Sequence, residues 1–242
     1  MSILAIDTST QVSSVAVASE ERLSAELIMQ AKLTHSETLM PHIEKVLQMA
    51  HLPKGGLSGI AVSIGPGSFT GLRIGLATAK AMAYALDIPL VAVSTLQALA
   101  CHFPVSGIKL VSMIDAQKGN AYRESYRWEE GKLAIVEPLD VVSVQDFLAG
   151  YDDAKEPVIL LGDAVRKKIK GKQELPASVR FAPVHLSMPR AANVAMLGLQ
   201  KLACGDTANL MNLEPMYIRR SEAEVLWEQR HSKVTENEIS IS

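Results

Sequence analysis

The feature that most constrains this chain is a pattern that occurs twice. Ile3-Leu4-Ala5-Ile6 is an apolar run that ends on Asp7; the hydroxyl-rich turn Thr8-Ser9-Thr10 follows, then alternation from Val12 to Ala18, a turn at Glu20-Glu21, and alternation from Leu23 to Met29. About one hundred residues later, Lys109 to Ile114 is again apolar and ends on Asp115, a turn holds Gly119-Asn120, Tyr122, Glu124, Tyr126 and Trp128 alternate, and Glu129-Glu130-Gly131 turns into Leu133-Ala134-Ile135-Val136. Alternation with a period of two reads as strand. Each copy is therefore a three-stranded antiparallel meander with an Asp at its first turn, and two copies of one supersecondary unit indicate a duplicated domain. An Asp in that place either satisfies the turn's own amides, the commoner case, or positions a water or a metal-bound phosphate.

Between the meanders the period changes. Ser36 to Ala50 carries Leu39, Ile43, Val46 and Leu47 on one helical face, with Pro41 near the first turn where a missing N–H is least harmful. His35 and His42 lie seven apart with no third residue at ligand spacing, so they read as surface or interface side chains rather than a metal site. Gly59 to Ile64 is a buried strand, Gly65-Pro66-Gly67-Ser68 a tight turn, and Thr70 to Leu86 a long run of helix formers with Thr70 as its expected cap. A strand, a tight turn and a helix start is the general way to present backbone N–H groups to an anion. It is not a Walker loop, since Gly65 and Gly71 enclose five residues and Leu72 stands where Lys is needed, and a dinucleotide fingerprint fails at Thr70. Within the helix, Gly71, Gly75, Ala79 and Ala83 recur every four residues and form a ridge of little bulk, expected either to lie in the domain's own centre or to meet a second subunit.

Ile88 to Val93 is a further strand, with Ser94 capping a helix from Thr95 to about His102. Behind the second meander, Ser143 to Ala149 is a short helix, Val158 to Asp163 a strand and turn, and Ala191 to Ala203 a helix. The basic cluster Arg166, Lys167, Lys168, Lys170 and Lys172 reads as a solvated helix face, and the polar end from Ser232 as frayed. With 48% hydrophobic and 21% charged residues, the chain reads as an ordinary globule with a sizeable core. A net charge of −2 argues against holding nucleic acid alone through a broad basic surface. No apolar run approaches a membrane span, Asp7 interrupts the only apolar start, and Cys101 and Cys204 lack metal or redox spacing; the expected place is a reducing cytoplasm.

Taken together, Ile6-Asp7-Thr8-Ser9, Thr34-His35-Ser36-Glu37, the GPGSFTGLRIG stretch ending at Gly75, the Asp115 turn, Leu161-Gly162-Asp163 and Tyr217-Ile218-Arg219-Arg220-Ser221-Glu222-Ala223-Glu224 resemble the TsaB (YeaZ) family. Its members act in synthesis of threonylcarbamoyladenosine next to the tRNA anticodon. The resemblance runs through nearly the whole chain in order. It implies an α/β ASKHA fold, actin-like and RNase H-like, with duplicated βββαβα subdomains of which the second is reduced. The expected division is 1–103 and 104–242, with the C-terminal segment returning to the first.

The resemblance also implies a non-catalytic scaffold for a TsaD-like transferase, with ATP and metal on that partner and no cofactor of its own. A TsaE-like ATPase and a threonylcarbamoyl-AMP synthase would be further members, tRNA would be met only through the complex, and the chain alone would be a homodimer. Contacts would run through the two early helices, here Leu39, Ile43, Leu47, Gly71, Gly75, Ala79 and Ala83. A nucleotide pocket shared with a partner would use Asp7, Thr8, Ser9, Gly65, Gly67, Ser68, Thr70 and Arg73. The transferases place a His pair one helical turn apart after the strand that corresponds to Ile88–Val93, near Thr95 and Leu99 here, and Leu cannot ligate a metal. Leu161-Gly162-Asp163 keeps one Gly of the adenosine-binding pair and replaces the other by an acid. The competing class is an enzyme: a stand-alone ASKHA phosphotransferase using Asp7 or Asp115, or a glycoprotease-like (M22-type) peptidase, although no His and acid are placed beside Ser68.

Overall fold

The computed structural model describes residues 1–30, 35–150, 156–164 and 176–218. The first meander forms β1 (Ser2–Asp7), β2 (Ser13–Ser19) and β3 (Leu23–Met29), and two later strands, β4 (Gly59–Gly65) and β5 (Leu90–Ser94), complete a five-stranded sheet in the order β3-β2-β1-β4-β5. Pairing is antiparallel through β1, β2 and β3, and parallel from β1 to β4 and β5. The second meander, β6 (Lys109–Asp115), β7 (Asn120–Glu129) and β8 (Lys132–Ser143), joins β9 (Val158–Leu161) and β10 (Val179–Phe181) in the order β8-β7-β6-β9-β10 with the same directions. Strand for strand, the two sheets share one topology. The duplication read from the sequence is real, and this is the ASKHA arrangement. β8 runs well beyond Val136, because Pro138 sits on an edge strand where no ladder N–H is required.

Helices α1 (His35–Met49) and α2 (Phe69–Leu86) cover the outer face of the first sheet. The cap of α2 is Ser68 rather than Thr70: its hydroxyl accepts from the Gly71 N–H at 3.3 Å. A short α3 (Thr95–Ala100) leaves β5 and packs on β6 and β7, whereas α5 (Ala191–Ala203) packs back on β1, β2, β4 and β5; α4 (Val144–Ala149) lies on the outer face of the second sheet. The first sheet is thus buried on both sides. Leu4, Ile6, Val15 and Val17 meet Leu39, Ile43, Val46, Leu47, Ala79 and Ala83, while Ile3, Ala5, Ala16 and Ala61 meet α5. Small residues on that inner face let α5 lie close: a Cβ on Gly198 would stand 2.5 Å from the Ala61 Cβ.

The N-terminus of α5 has no side-chain cap of its own. Instead Ser14 accepts the Ala191 N–H at 2.9 Å and Glu26 the Ala192 N–H at 3.1 Å, while Arg190 ion-pairs with Glu26. Orphan amides at a helix start need such acceptors, and an acid there also complements the helix dipole. The basic cluster from Arg166 to Lys172 and the run from Arg219 onward lie outside the described residues.

These contacts correct one expectation. Leu39, Ile43, Leu47, Gly71, Gly75, Ala79 and Ala83 are all buried inside the same chain. The ridge of small residues lies against β1: a Cβ at Gly71 would stand 2.1 Å from the Thr8 carbonyl oxygen, and one at Gly75 2.2 Å from Thr8 Oγ1. A ridge without side chains lets a helix approach a strand end as readily as another helix. The exposed ridge of α2 is the opposite one, formed by Thr70, Arg73, Ala77, Ala81 and Tyr84.

Candidate functional site

The residues expected to share a nucleotide pocket do converge, at the carboxyl ends of β1 and β4 where open α/β sheets bind ligands. Asp7, the last residue of β1, is 1% exposed. Its Oδ1 accepts the Ser9 N–H at 3.1 Å and the Ser9 hydroxyl at 2.8 Å, and Oδ2 accepts the Ser63 hydroxyl. Burial pushes the Asp7 carboxyl above its ordinary value, against the pull of the Ser63 and Ser9 donors and the more distant charge of His35. A carboxyl so enclosed serves its own turn.

The glycine turn is closed in the same way. Ser68 N–H donates to the Ser9 carbonyl at 2.7 Å, and Thr8 Oγ1 donates to the Gly71 carbonyl at 2.8 Å. A Cβ at Gly67 would stand 2.3 Å from the Ser9 carbonyl oxygen. Gly65, at φ +118°, has the Met216 carbonyl oxygen 3.2 Å from where a Cβ would stand, and Met216 N–H donates to the Ile64 carbonyl at 2.7 Å. Asp7, Thr8, Ser9 and Gly65 are therefore buried under protein atoms, while Ser68, Thr70 and Arg73 stay at the surface. His35 Nε2 lies 2.8 Å from the Thr10 carbonyl, and buried His42 lies 3.4 Å from the Ser13 hydroxyl, so both anchor α1 to the first turn.

Arg73 has partners that the sequence did not announce. Its Nε donates to the Tyr217 hydroxyl at 2.7 Å, and its guanidinium lies 3.9 Å over the Phe69 ring, which in turn meets the Tyr217 ring at 4.8 Å. Two turns along α2, Lys80 Nζ donates to the carbonyls of Leu213 at 3.1 Å and Met211 at 3.3 Å. The segment after α5 therefore straps the flank of α2 that faces away from α1. Aromatic and basic residues 144 positions apart leave no local pattern. The one available signal was the Tyr217-Ile218-Arg219-Arg220 run itself.

In the second half, Asp115 Oδ1 accepts the Gln117 N–H at 2.9 Å, and the Asp115 N–H donates to Asp163 Oδ1 at 3.0 Å. Gly162, at φ +106°, has the Met113 carbonyl oxygen 1.9 Å from where a Cβ would stand, so that Gly is needed for strand-to-turn packing. Thr95 and Leu99 are both 0% exposed, within or beside the apolar cluster under α3. Among the described residues no group of three or more His, Cys, Asp or Glu side chains could hold a metal ion, and no helix is long and apolar enough to cross a membrane.

Residues 29–227 match the family model described as TsaD: tRNA N6-adenosine threonylcarbamoyltransferase. The chain is 35% identical over 228 residues to the tRNA threonylcarbamoyladenosine biosynthesis protein TsaB of Bacillus subtilis (strain 168), covering 94% of this chain and 98% of that one. It is 27% identical to the protein of the same name from Escherichia coli (strain K12), over 92% of this chain and 96% of that one. Among solved structures, a Pseudomonas aeruginosa protein described as uncharacterized, with similarity to peptidase YeaZ, superimposes with a TM-score of 0.76 at 25% identity, covering 90% of this chain and 99% of that chain.

Proposed function

The chain belongs to the TsaB family, within the wider family that the TsaD model describes, and we propose that it is the non-catalytic scaffold of a TsaD-like transferase in threonylcarbamoylation of the adenosine next to the tRNA anticodon. The observation that carries this reading is the state of Thr95 and Leu99. Where the resemblance puts the transferase's metal-holding histidines, this chain has a hydroxyl and a hydrocarbon sealed at 0% exposure. The Asp7 carboxyl, already committed to Ser9 and Ser63, supports the same conclusion.

The partner-facing surface is the outer side of the two early helices rather than their buried faces. Met40, Pro41, Glu44 and Gln48 of α1, and Thr70, Ala77, Ala81 and Tyr84 of α2, are exposed, with Met40 at 50% and Tyr84 at 72%. Large apolar and aromatic groups beside short ones are the composition of a contact core. In the absence of the transferase the same surface serves a second copy of this chain. ATP and metal belong to the transferase and a TsaE-like ATPase, and tRNA is engaged through the assembly, in the cytoplasm.

The test is copurification of the full chain with a TsaD-like transferase from the same genome, followed by a tRNA modification assay supplied with threonylcarbamoyl-AMP synthase and the ATPase. Modification is expected only when both proteins are present, and the chain alone should neither hydrolyse ATP nor modify tRNA. Equal modification without this chain, or turnover by the chain alone, overturns the proposal. The second outcome would instead favour a phosphotransferase working through Asp7 or Asp115.

A further inference from the structure

The strap after α5 has an unusual energetic character. It is hydrogen-bonded to β5 through the Ala208 N–H and the Leu90 carbonyl at 2.8 Å, turns at Asn209, and reaches the end of β4 at Met216. Yet no residue from Ala203 to Ile218 is fully buried, and Leu210, Leu213 and Ile218 only lean on the core. A segment with few buried apolar contacts and solvent-facing hydrogen bonds belongs to the part of a protein that opens most cheaply. Beside the Phe69–Tyr217 ring contact, the strap's grip on α2 is polar: the Tyr217 hydroxyl on Arg73, and the Met211 and Leu213 carbonyls on Lys80.

All three of those acceptor oxygens are neutral. Glu214, the strap's own carboxylate between them, takes no part in either contact. Arg73 and Lys80 stand two turns apart, about 10.5 Å along the axis. Between them lies exposed Ala77, which offers nothing beyond a methyl group to hold off an approaching backbone. A carboxylate adds to such a bond a Coulombic attraction, about 1 kcal/mol at 4 Å in water, that a neutral oxygen lacks. The present partners of Arg73 and Lys80 are thus ones that a correctly spaced pair of carboxylates would displace.

We propose that residues 211–217 are a removable cover on α2, whose neutral oxygens hold Arg73 and Lys80 in place until an acidic segment of the docking protein takes both cations and releases the strap. The proposal rests on the reading of α2 as a partner surface and adds to it the charge of the partner and the segment that gives way. Release frees the Met216 N–H from the Ile64 carbonyl and uncovers Gly65, so docking on α2 is coupled to access at the carboxyl end of β4.

Hydrogen exchange at the Met216 amide of the full chain reads the cover directly. Two probes are used: the TsaD-like transferase, and a 20-residue helical peptide with Glu at positions seven apart, compared with its Gln counterpart. The transferase and the Glu peptide should each speed Met216 exchange at least tenfold, and the Gln peptide should not. Tyr217→Phe keeps the ring stack and removes the competing hydroxyl, so it should tighten binding of the Glu peptide two- to threefold. Arg73→Gln with Lys80→Gln should weaken it tenfold or more. A transferase that binds while Met216 stays protected overturns the cover and leaves the docking reading intact. Release by the Glu peptide without any binding of the transferase does the reverse. Equal action of the Glu and Gln peptides, or weaker binding in Tyr217→Phe, also overturns the cover.

Discussion

The outer faces of the two sheets began from one topology and are finished in different ways. Over the first sheet, α1 and α2 bring Leu39, Ile43, Val46, Leu47, Leu76 and Ala79 down onto Leu4, Ile6, Val15 and Val17 in one apolar cluster. Over the second, Val144 and Leu148 of α4 join Val111, Met113, Ala121, Val158, Leu160 and Val179 in an apolar cluster. Beyond it the same face of the sheet carries ions: Arg123 pairs with Asp140 at 2.6 Å and Glu137 at 2.9 Å, Lys109 with Glu137 at 2.7 Å, and Arg127 with Glu156. A sheet face closed by mutually satisfied charges gains little from a partner, since each ion would have to be dehydrated again. Among the described residues, the exposed ridge of α2 carries no such network, since Arg73 and Lys80 donate only to neutral oxygens, which is a physical reason for the proposed association to use that half.

The sharpest test of this contrast is where a single methyl group is intolerable in both halves. Gly71→Ala forces the chain away from the Thr8 carbonyl, and Gly162→Ala collides with the Met113 carbonyl at a backbone angle that side chains avoid. Each should cost about 3 kcal/mol or more, lowering Tm by roughly 10 °C for a chain of this size. Thermal denaturation followed by circular dichroism reads both. A Gly71→Ala protein of unchanged Tm that fails only to bind its partner would return the buried ridge to the surface.

Next in size is the tie between the two ends of the chain. Arg190→Ala strands Glu26, whose side chain is 7% exposed, and should cost about 3 kcal/mol; Glu26→Ala leaves an Arg that is 35% exposed and regains water, so about 2 kcal/mol is expected. Urea unfolding of both variants gives the order, and the reverse order would mean that the Ala192 N–H contact outweighs the ion pair.

How much of this was legible follows from the range of each interaction. The meanders, both long helices and the duplicated fold are carried by periods of two and of about four, which are local. Which ridge of α2 faces inward was decided by Thr8, sixty-three residues away, and the four-residue spacing of Gly71, Gly75, Ala79 and Ala83 is silent on that choice. Asp7 was legible as a turn residue, and its burial was not, because the Ser63 hydroxyl arrives from β4. The Glu26–Arg190 pair, the Arg73–Tyr217 contact and the network around Arg123 join residues that only the fold brings together.

The charged face of the second sheet should respond to salt and acid, and the first should not. Arg123→Ala is expected to cost about 1–2 kcal/mol and less at high ionic strength. Burial alone would raise the Glu137 carboxyl, but hydrogen bonds from Lys109 and Ser125 and the charges of Lys109 and Arg123 outweigh it and hold it below its ordinary 4.5. A folded-state value depressed in this way contributes stability that is complete above 4.5 and is lost as the pH falls through the lowered value. Glu137→Gln should therefore flatten the acid limb of a stability curve measured by chemical denaturation between pH 3 and pH 6.

Asp7 carries the opposite sign and the smallest net effect. Its folded-state value lies above 3.8, so folding is favoured while the group is protonated and loses ground as the pH rises from 3.8 through the raised value. Asn keeps an oxygen for the Ser9 amide and hydroxyl and offers an N–H to the Ser63 oxygen, without a charge to dehydrate. Asp7→Asn should then match or slightly exceed the parent chain in stability at pH 7, and show no advantage at pH 3. Unfolding curves at the two values decide it. A loss of stability at pH 7 would mean that the ionised carboxylate is the form this turn is built around, and the first half would then share the acid sensitivity assigned here to the second alone.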